Sequence, residues 1–283
     1  MAKKSEAIVL EFDEEKIRLR EEAVAAETDE QIIERLRERF EILHTMTQAV
    51  KSGDIRAMIV SGPPGVGKSF GVEEVLSKDD LFNQLADRDP NYEIVKGTMS
   101  SVGLYAKLFE FSKPGNVIVF DDCDGLFYDM LSLNILKAAL DTSQRRWISW
   151  NTDSRLLRSE GIPDRFEFKG TCIFITNIKF AHVRSKTLKD HLNALESRCH
   201  YIDLEMDTAR EKMLRIKQIV GDGMLDKYGF EQSTVDEIVE FVESNKEKMR
   251  ELSLRMVLKI ADLRKGFPGK WEMMAKTTCM TRI

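Results

Sequence analysis

Residues 62–69 read Gly62-Pro63-Pro64-Gly65-Val66-Gly67-Lys68-Ser69 and fit the pattern G-x-x-x-x-G-K-[ST] at every position. Glycines at 62, 65 and 67 let backbone N–H groups turn inward around phosphate oxygens. Lys68 brings a point charge to the β and γ phosphates, and Ser69 a hydroxyl that ligates Mg²⁺. A helix running on from Phe70 would aim the positive end of its dipole at the same anion. The chemistry implied is the binding of a nucleoside triphosphate with magnesium. Hydrolysis needs carboxylates as well, and a second motif supplies them: Val117, Ile118, Val119 and Phe120 are followed by Asp121 and Asp122. Four apolar residues in a row predict a strand buried on both faces, with Asp121 at its C-terminal end placed to hold Mg²⁺ through water. Asp122 is then the candidate to orient and polarise the attacking water, with Asp124 as the fallback.

These side chains need a frame that brings them together. Residues 57–60 are an apolar run just before the glycine-rich loop, and residues 70–76 continue as a helix after it. That strand-to-helix context is the one a phosphate cradle requires. Residues 172–177, Cys-Ile-Phe-Ile-Thr-Asn, read as another buried strand ending in a polar pair, and Ala194-Leu195-Glu196-Ser197-Arg198 precedes a strand-like stretch at 201–204. From residue 207 onward the apolar spacing turns helical, through Met213, Ile216 and Ile219, then Val235, Ile238, Val239 and Val242, then Met256, Ile260 and Leu263.

In this order and spacing, residues 32–263 resemble the AAA+ ATPases among the P-loop NTPases. The resemblance implies an α/β core with a parallel sheet flanked by helices, followed by a small all-helical lid. It implies ATP and Mg²⁺ as ligands, and Asn177 as a sensor 1 residue that hydrogen-bonds the attacking water or the γ phosphate. It implies Arg198 as an arginine finger on the neighbouring subunit's γ phosphate. An arginine supplied in trans requires a homo-oligomeric ring, expected to be a hexamer. Arg255, at the start of the third lid helix, falls where such lids carry their sensor 2 arginine.

The expected division is an N-terminal arm at 1–27, a nucleotide-binding core at 28–205 and a lid at 206–283. The arm is dominated by Glu, Lys, Arg and Ala with weak periodicity, which predicts a mobile or docking segment. Thr28 with Gln31 forms a capping-box pattern that opens a helix. Ile32, Leu36, Phe40, Leu43, Met46 and Val50 recur along it at spacings of three and four, and Gly53 stops it. The chain has 283 residues and 42% hydrophobic content, enough to bury a sizeable core. No run approaches 18 apolar residues and the first residues lack an apolar signal core, so a cytoplasmic protein without a membrane partner is expected. Cys123, Cys172, Cys199 and Cys279 show no C-x-x-C spacing, and His44, His182, His191 and His200 are scattered, so reduced thiols and no zinc site are expected.

Two regions bear on what such a motor would act on. The first, residues 96–103, lies between a strand at 92–95 and a helix at 104–111, with Ser101 as N-cap. In AAA+ rings this turn faces the pore, and Met99 is the nearest analogue of the aromatic that protein translocases place there. The second runs from Arg145 to Gly170. Residues 145–150 and 165–169 alternate like strands, and the polar, basic tip between them holds Arg155, Arg158 and Ser159. This pattern resembles the hairpin before sensor 1 that occurs in superfamily 3 viral replicative helicases, in protein unfoldases and in MoxR-type chaperones. Arg145, Arg146, Arg155 and Arg158 are the candidate lining of a cationic channel for single-stranded DNA. A net charge of −5 argues against a broad basic surface but not against a channel hidden inside a ring. The leading expectation is a DNA transaction, of the replication helicase or helicase-loader type and encoded by a phage or virus. A MoxR-like chaperone acting on protein, or a nucleotide-gated scaffold with slow hydrolysis, are the alternatives.

Overall fold

The structure is a computed structural model and describes residues 22, 24–79, 90–180, 183 and 185–281. Most of the arm expected at 1–27, and His182, lie outside the described residues. The chain divides into two compact units, one of residues 40–205 and one of residues 206–283 with the described part of 1–39.

Helix α1 (Asp29–Ser52) begins where the capping pattern puts it. Thr28 N–H donates to Gln31 Oε1 at 2.8 Å and Gln31 N–H donates back to Thr28 Oγ1 at 3.3 Å. It ends at Gly53, whose φ of 85° is open to a residue without Cβ. Ile32, Leu36, Phe40, Leu43 and Val50 form its buried stripe.

The larger unit then runs β1 (Ala57–Ser61), α2 (Lys68–Asp79), β2 (Tyr92–Lys96), α3 (Ser101–Glu110), β3 (Val117–Asp121), α4 (Gly125–Tyr128), α5 (Met130–Ala139), β4 (Trp147–Ser149), α6 (Arg155–Ser159), β5 (Arg165–Glu167), β6 (Thr171–Thr176), α7 (Lys186–Glu196) and β7 (His200–Asp203). Five of these strands form a parallel sheet in the order β2-β3-β6-β1-β7. The three central strands are buried along their whole length, as a parallel sheet covered on both faces demands, and this is why they read as unbroken apolar runs. At the C-terminal edge, Ser61 lies opposite Thr176 and Asp203, while Asp121 lies opposite Lys96 and Ile175. The segments that leave β1, β3 and β6 therefore emerge side by side, in the position where open parallel sheets hold ligands.

The turn between β2 and α3 is shorter than the expected 96–103. β2 extends to Lys96, and α3 starts at Ser101 with Ser100, not Ser101, as its N-cap: the Ser100 hydroxyl accepts from Gly103 N–H at 3.1 Å. A serine with extended backbone angles caps the helix, and Gly103 is already inside it.

β4 and β5 pair antiparallel, with Trp147 opposite Glu167, Ile148 opposite Phe166 and Ser149 opposite Arg165. Ile148 and Phe166 face the core while Trp147 and Arg165 face out. The segment between them carries α6, capped by Ser154 and anchored by buried Leu157. Arg146 does not belong to an exposed cationic rim, which corrects one of the four candidate channel residues. It is only 8% exposed, donates to Ala139 O at 3.0 Å and Gly170 O at 2.8 Å, and lies over the Phe168 ring at 5.0 Å. A guanidinium with these partners fastens the pair of strands to the core.

The second unit is helical: α8 (Ala209–Gly221), α9 (Gln232–Ser244), α10 (Leu254–Gly266) and α11 (Trp271–Cys279). Ile238, Val242, Val257 and Ile260 are fully buried in its core, and Phe241 meets Trp271 edge-on at 4.9 Å. The α/β P-loop core with a helical C-terminal part expected from the sequence is the architecture observed.

Glu211 carries a large share of the order in this unit. Its carboxylate is 0% exposed, and Oε2 accepts from the N–H groups of Asp207 and Thr208, both at 3.1 Å, completing a capping box at the start of α8. Oε1 meets Arg35 at 3.1 Å, and Arg35 is held in turn by Glu27 at 2.6 Å. Removing Glu211 uncaps α8 and leaves Arg35, 23% exposed, with Glu27 alone. Glu211→Ala is expected to lower stability by about 2 kcal/mol. Urea unfolding checks this, and an unmoved midpoint would deny the cluster its stabilising role.

Candidate nucleotide and magnesium site

The loop between β1 and α2 keeps Gly65 and Gly67 at φ of 69° and 103°, values that side chains with a Cβ rarely tolerate. Lys68 opens α2, is 5% exposed, and points back across the loop. Its ammonium donates to Gly62 O at 2.7 Å, to Pro63 O at 2.8 Å and to Asn177 Oδ1 at 2.7 Å. Asn177, the residue after β6, donates its other amide end to Asp122 Oδ1 at 3.0 Å. A hydrogen-bonded chain Lys68–Asn177–Asp122 thus joins the segments leaving β1, β6 and β3.

Asp122 is the only non-glycine residue with positive φ, 54°, among the described residues. Its N–H still completes the ladder to Ile175 O at 3.0 Å, so the backbone turns left-handed immediately after the last sheet bond. This conformation is uncommon and better tolerated by Asp and Asn than by most side chains. It leaves the carboxylate exposed at the edge where Lys68 and Asn177 lie.

Asp121, by contrast, is 5% exposed. Its Oδ1 accepts from Ser69 Oγ at 3.0 Å, and its Oδ2 lies 3.6 Å from the ammonium of Lys96. A hydroxyl and a carboxylate this close are two hard oxygen donors that fit one Mg²⁺, directly or through water. Asp124 is engaged differently. It accepts from Thr176 Oγ1 at 2.6 Å, and burial raises its pKa against the lowering effect of that bond. Cys123 reports the local field: burial first, then Asp121, Asp124 and Asp122, push its thiol up to about 11.

The structure thus brings Lys68, Ser69, Asp121, Asp122 and Asn177 into one cluster. Pro64 and Phe70 stand exposed at its margin, Phe70 with 71% of its surface free, and Val66 is buried. Arg198 lies outside the hydrogen-bonded cluster, just past α7. Its Nη1 donates to the carbonyl of Ala194, and its Nε has no partner among the described residues. Arg255 belongs to the helical unit, exposed at the second position of α10 behind the N-cap Ser253. Sequence reasoning missed Lys96 and Thr176. The signal for Lys96 existed as a lysine ending an apolar stretch, but its meaning depends on the β2–β3 register.

No protein-family model matches the chain. An uncharacterized 36.7 kDa protein from the nrdC-mobD intergenic region of Enterobacteria phage T4 is 34% identical over 252 residues, which cover 88% of this chain and 76% of that protein. Among solved structures, domain III of the Thermotoga maritima replication initiation protein DnaA is 12% identical with a TM-score of 0.48, over 86% of this chain and 92% of that one. The replication initiator DnaA bound to AMPPCP and single-stranded DNA is 13% identical with a TM-score of 0.47. It aligns over 83% of this chain and 63% of that chain, so this chain spans less than two thirds of its length.

Proposed function

The chain belongs to the same family as that phage T4 protein, and from the site's geometry we propose that it is a Mg²⁺-dependent ATP hydrolase of the AAA+ kind. The observation that carries this reading is the Lys68–Asn177–Asp122 chain beside the Ser69–Asp121 pair. Mg²⁺, when bound, would neutralise charge on the β and γ phosphates and template their geometry. Ser69 and Asp121 are the residues that would hold it. Lys68 turns from Asn177 and the loop carbonyls to the phosphate oxygens, which frees the Asn177 carbonyl to orient the attacking water. Asp122 accepts the proton that this water loses. Exposed Phe70 flanks the phosphate loop and offers an apolar face to the rest of the nucleotide.

In this reading the enzyme works in the cytoplasm as a ring, expected hexameric, in which Arg198 completes the neighbour's site and Arg255 senses the γ phosphate. The proposed work is a DNA transaction of the helicase or helicase-loader type, with single-stranded DNA held by the segment from Arg145 to Ser159 and the adjoining strand. Trp147 stands 40% exposed with the Arg165 guanidinium 4.5 Å over its ring, a surface on which a base can stack, and Arg155 is exposed near it in sequence. One observation favours a second reading, the remodelling of protein. Arg158 is paired with Asp153, and both Arg145 and Lys169 face Glu167, which leaves fewer cations for phosphates. Steady-state ATP hydrolysis with and without single-stranded DNA separates the two. Stimulation of about fivefold is expected for the DNA motor, falling with salt, whereas indifference to DNA would transfer the assignment to a protein substrate.

A further inference from the structure

Lys96 ends β2 directly opposite Asp121 in the parallel register, so both side chains start from the same edge of the sheet. Its backbone is fixed there. The strand is bonded along its length to β3, and Cys123 Sγ donates to Val95 O at 3.4 Å. The Lys96 side chain is 60% exposed, while the Asp121 carboxylate it meets is 7% exposed. Asp121 thus divides its two oxygens between Ser69, which is part of the phosphate loop, and a lysine that nothing in the proposed mechanism uses.

We propose that Lys96 is a tethered cation that neutralises the magnesium carboxylate when no metal is bound and has to give way when Mg²⁺ arrives with the nucleotide. The inference rests on the nucleotide reading above. The physical basis is direct competition. An ammonium at 3.6 Å from Oδ2 stabilises the metal-free carboxylate, and a divalent ion at the same carboxylate repels it. The exposed side chain has room to swing into solvent, so displacement costs little packing. Lys96 thereby sets the metal concentration at which the site loads, and acts as a positioning residue for Asp121 between turnovers.

The test is a magnesium titration of ATP binding to the full chain, read by calorimetry or by a fluorescent ATP analogue, with a non-hydrolysable analogue as control. Lys96→Met is expected to lower the Mg²⁺ concentration at half-saturation roughly three- to tenfold, as loss of one nearby positive charge predicts for a partly exposed site. Binding measured in EDTA should stay as in the wild type, and Lys96→Arg, which keeps the charge, should restore the wild-type magnesium midpoint. A Lys96→Met midpoint that is unchanged, or higher, overturns the inference while leaving nucleotide binding intact. If the wild-type chain itself binds no nucleotide with or without Mg²⁺, the nucleotide reading fails, and the role of Lys96 falls with it.

Discussion

Asp122→Asn is expected to reduce ATP turnover by about 10²- to 10⁴-fold, the range a general base contributes, while leaving the affinity for ATP within about twofold of wild type. The substitution suits the question because the site tolerates it. Asp122 holds a left-handed φ of 54°, a conformation asparagine adopts as readily as aspartate, and the amide oxygen can still accept from Asn177 as Oδ1 does at 3.0 Å. What disappears is the capacity to take a proton from water. Turnover and nucleotide affinity measured on the same preparation, with thermal unfolding as the control, isolate that loss. Undiminished turnover would move the base elsewhere, and Asp124, now bonded to Thr176 at 2.6 Å, would be the residue to change next.

Lys68→Ala is expected to act earlier, at binding. The ammonium ties Gly62, Pro63 and Asn177 together from a position only 5% exposed, so its removal takes away both the charge meant for the phosphates and the clasp that shapes the loop. Charge-assisted bonds of this kind contribute about 1.5–3 kcal/mol each, and without the two that the ammonium would make to the β and γ phosphates, ATP affinity should weaken by at least about a hundredfold. Fluorescence titration with an ATP analogue reads this. Affinity preserved to within a few fold would show that the triphosphate does not sit in this loop.

Much of this site was readable in the sequence because its parts are local. Residues 62–69 carry their own geometry: glycines where φ is positive at 65 and 67, a lysine and a serine at the helix start. The run from Val117 to Asp122 carries its own burial. The Thr28 and Gln31 exchange that opens α1 is likewise a matter of four residues. What escaped depends on pairing at a distance. Lys96 matters because β2 lies beside β3 in a register that puts it across from Asp121, and no pattern within residues 92–103 encodes that register. Arg146 looked like a rim cation in an alternating stretch, yet the carbonyls of Ala139 and Gly170, 7 and 24 residues away, draw it into the core. The left-handed turn at Asp122 is set by its neighbours, since the ladder bond to Ile175 fixes its N–H while the chain leaves the sheet. Ser100 rather than Ser101 as the cap of α3 is the ordinary ambiguity of adjacent serines, decided by which hydroxyl reaches Gly103 N–H.

The most direct test of the account is phosphate release from ATP by the full chain with Mg²⁺, followed over a range of protein concentrations and set beside Lys68→Ala. The account predicts sustained release by the wild type, absent in EDTA and at background in the variant, with specific activity rising as subunits assemble and Arg198 gains a neighbour's site. Equal release by wild type and variant, or none from the wild type at any concentration, would contradict it.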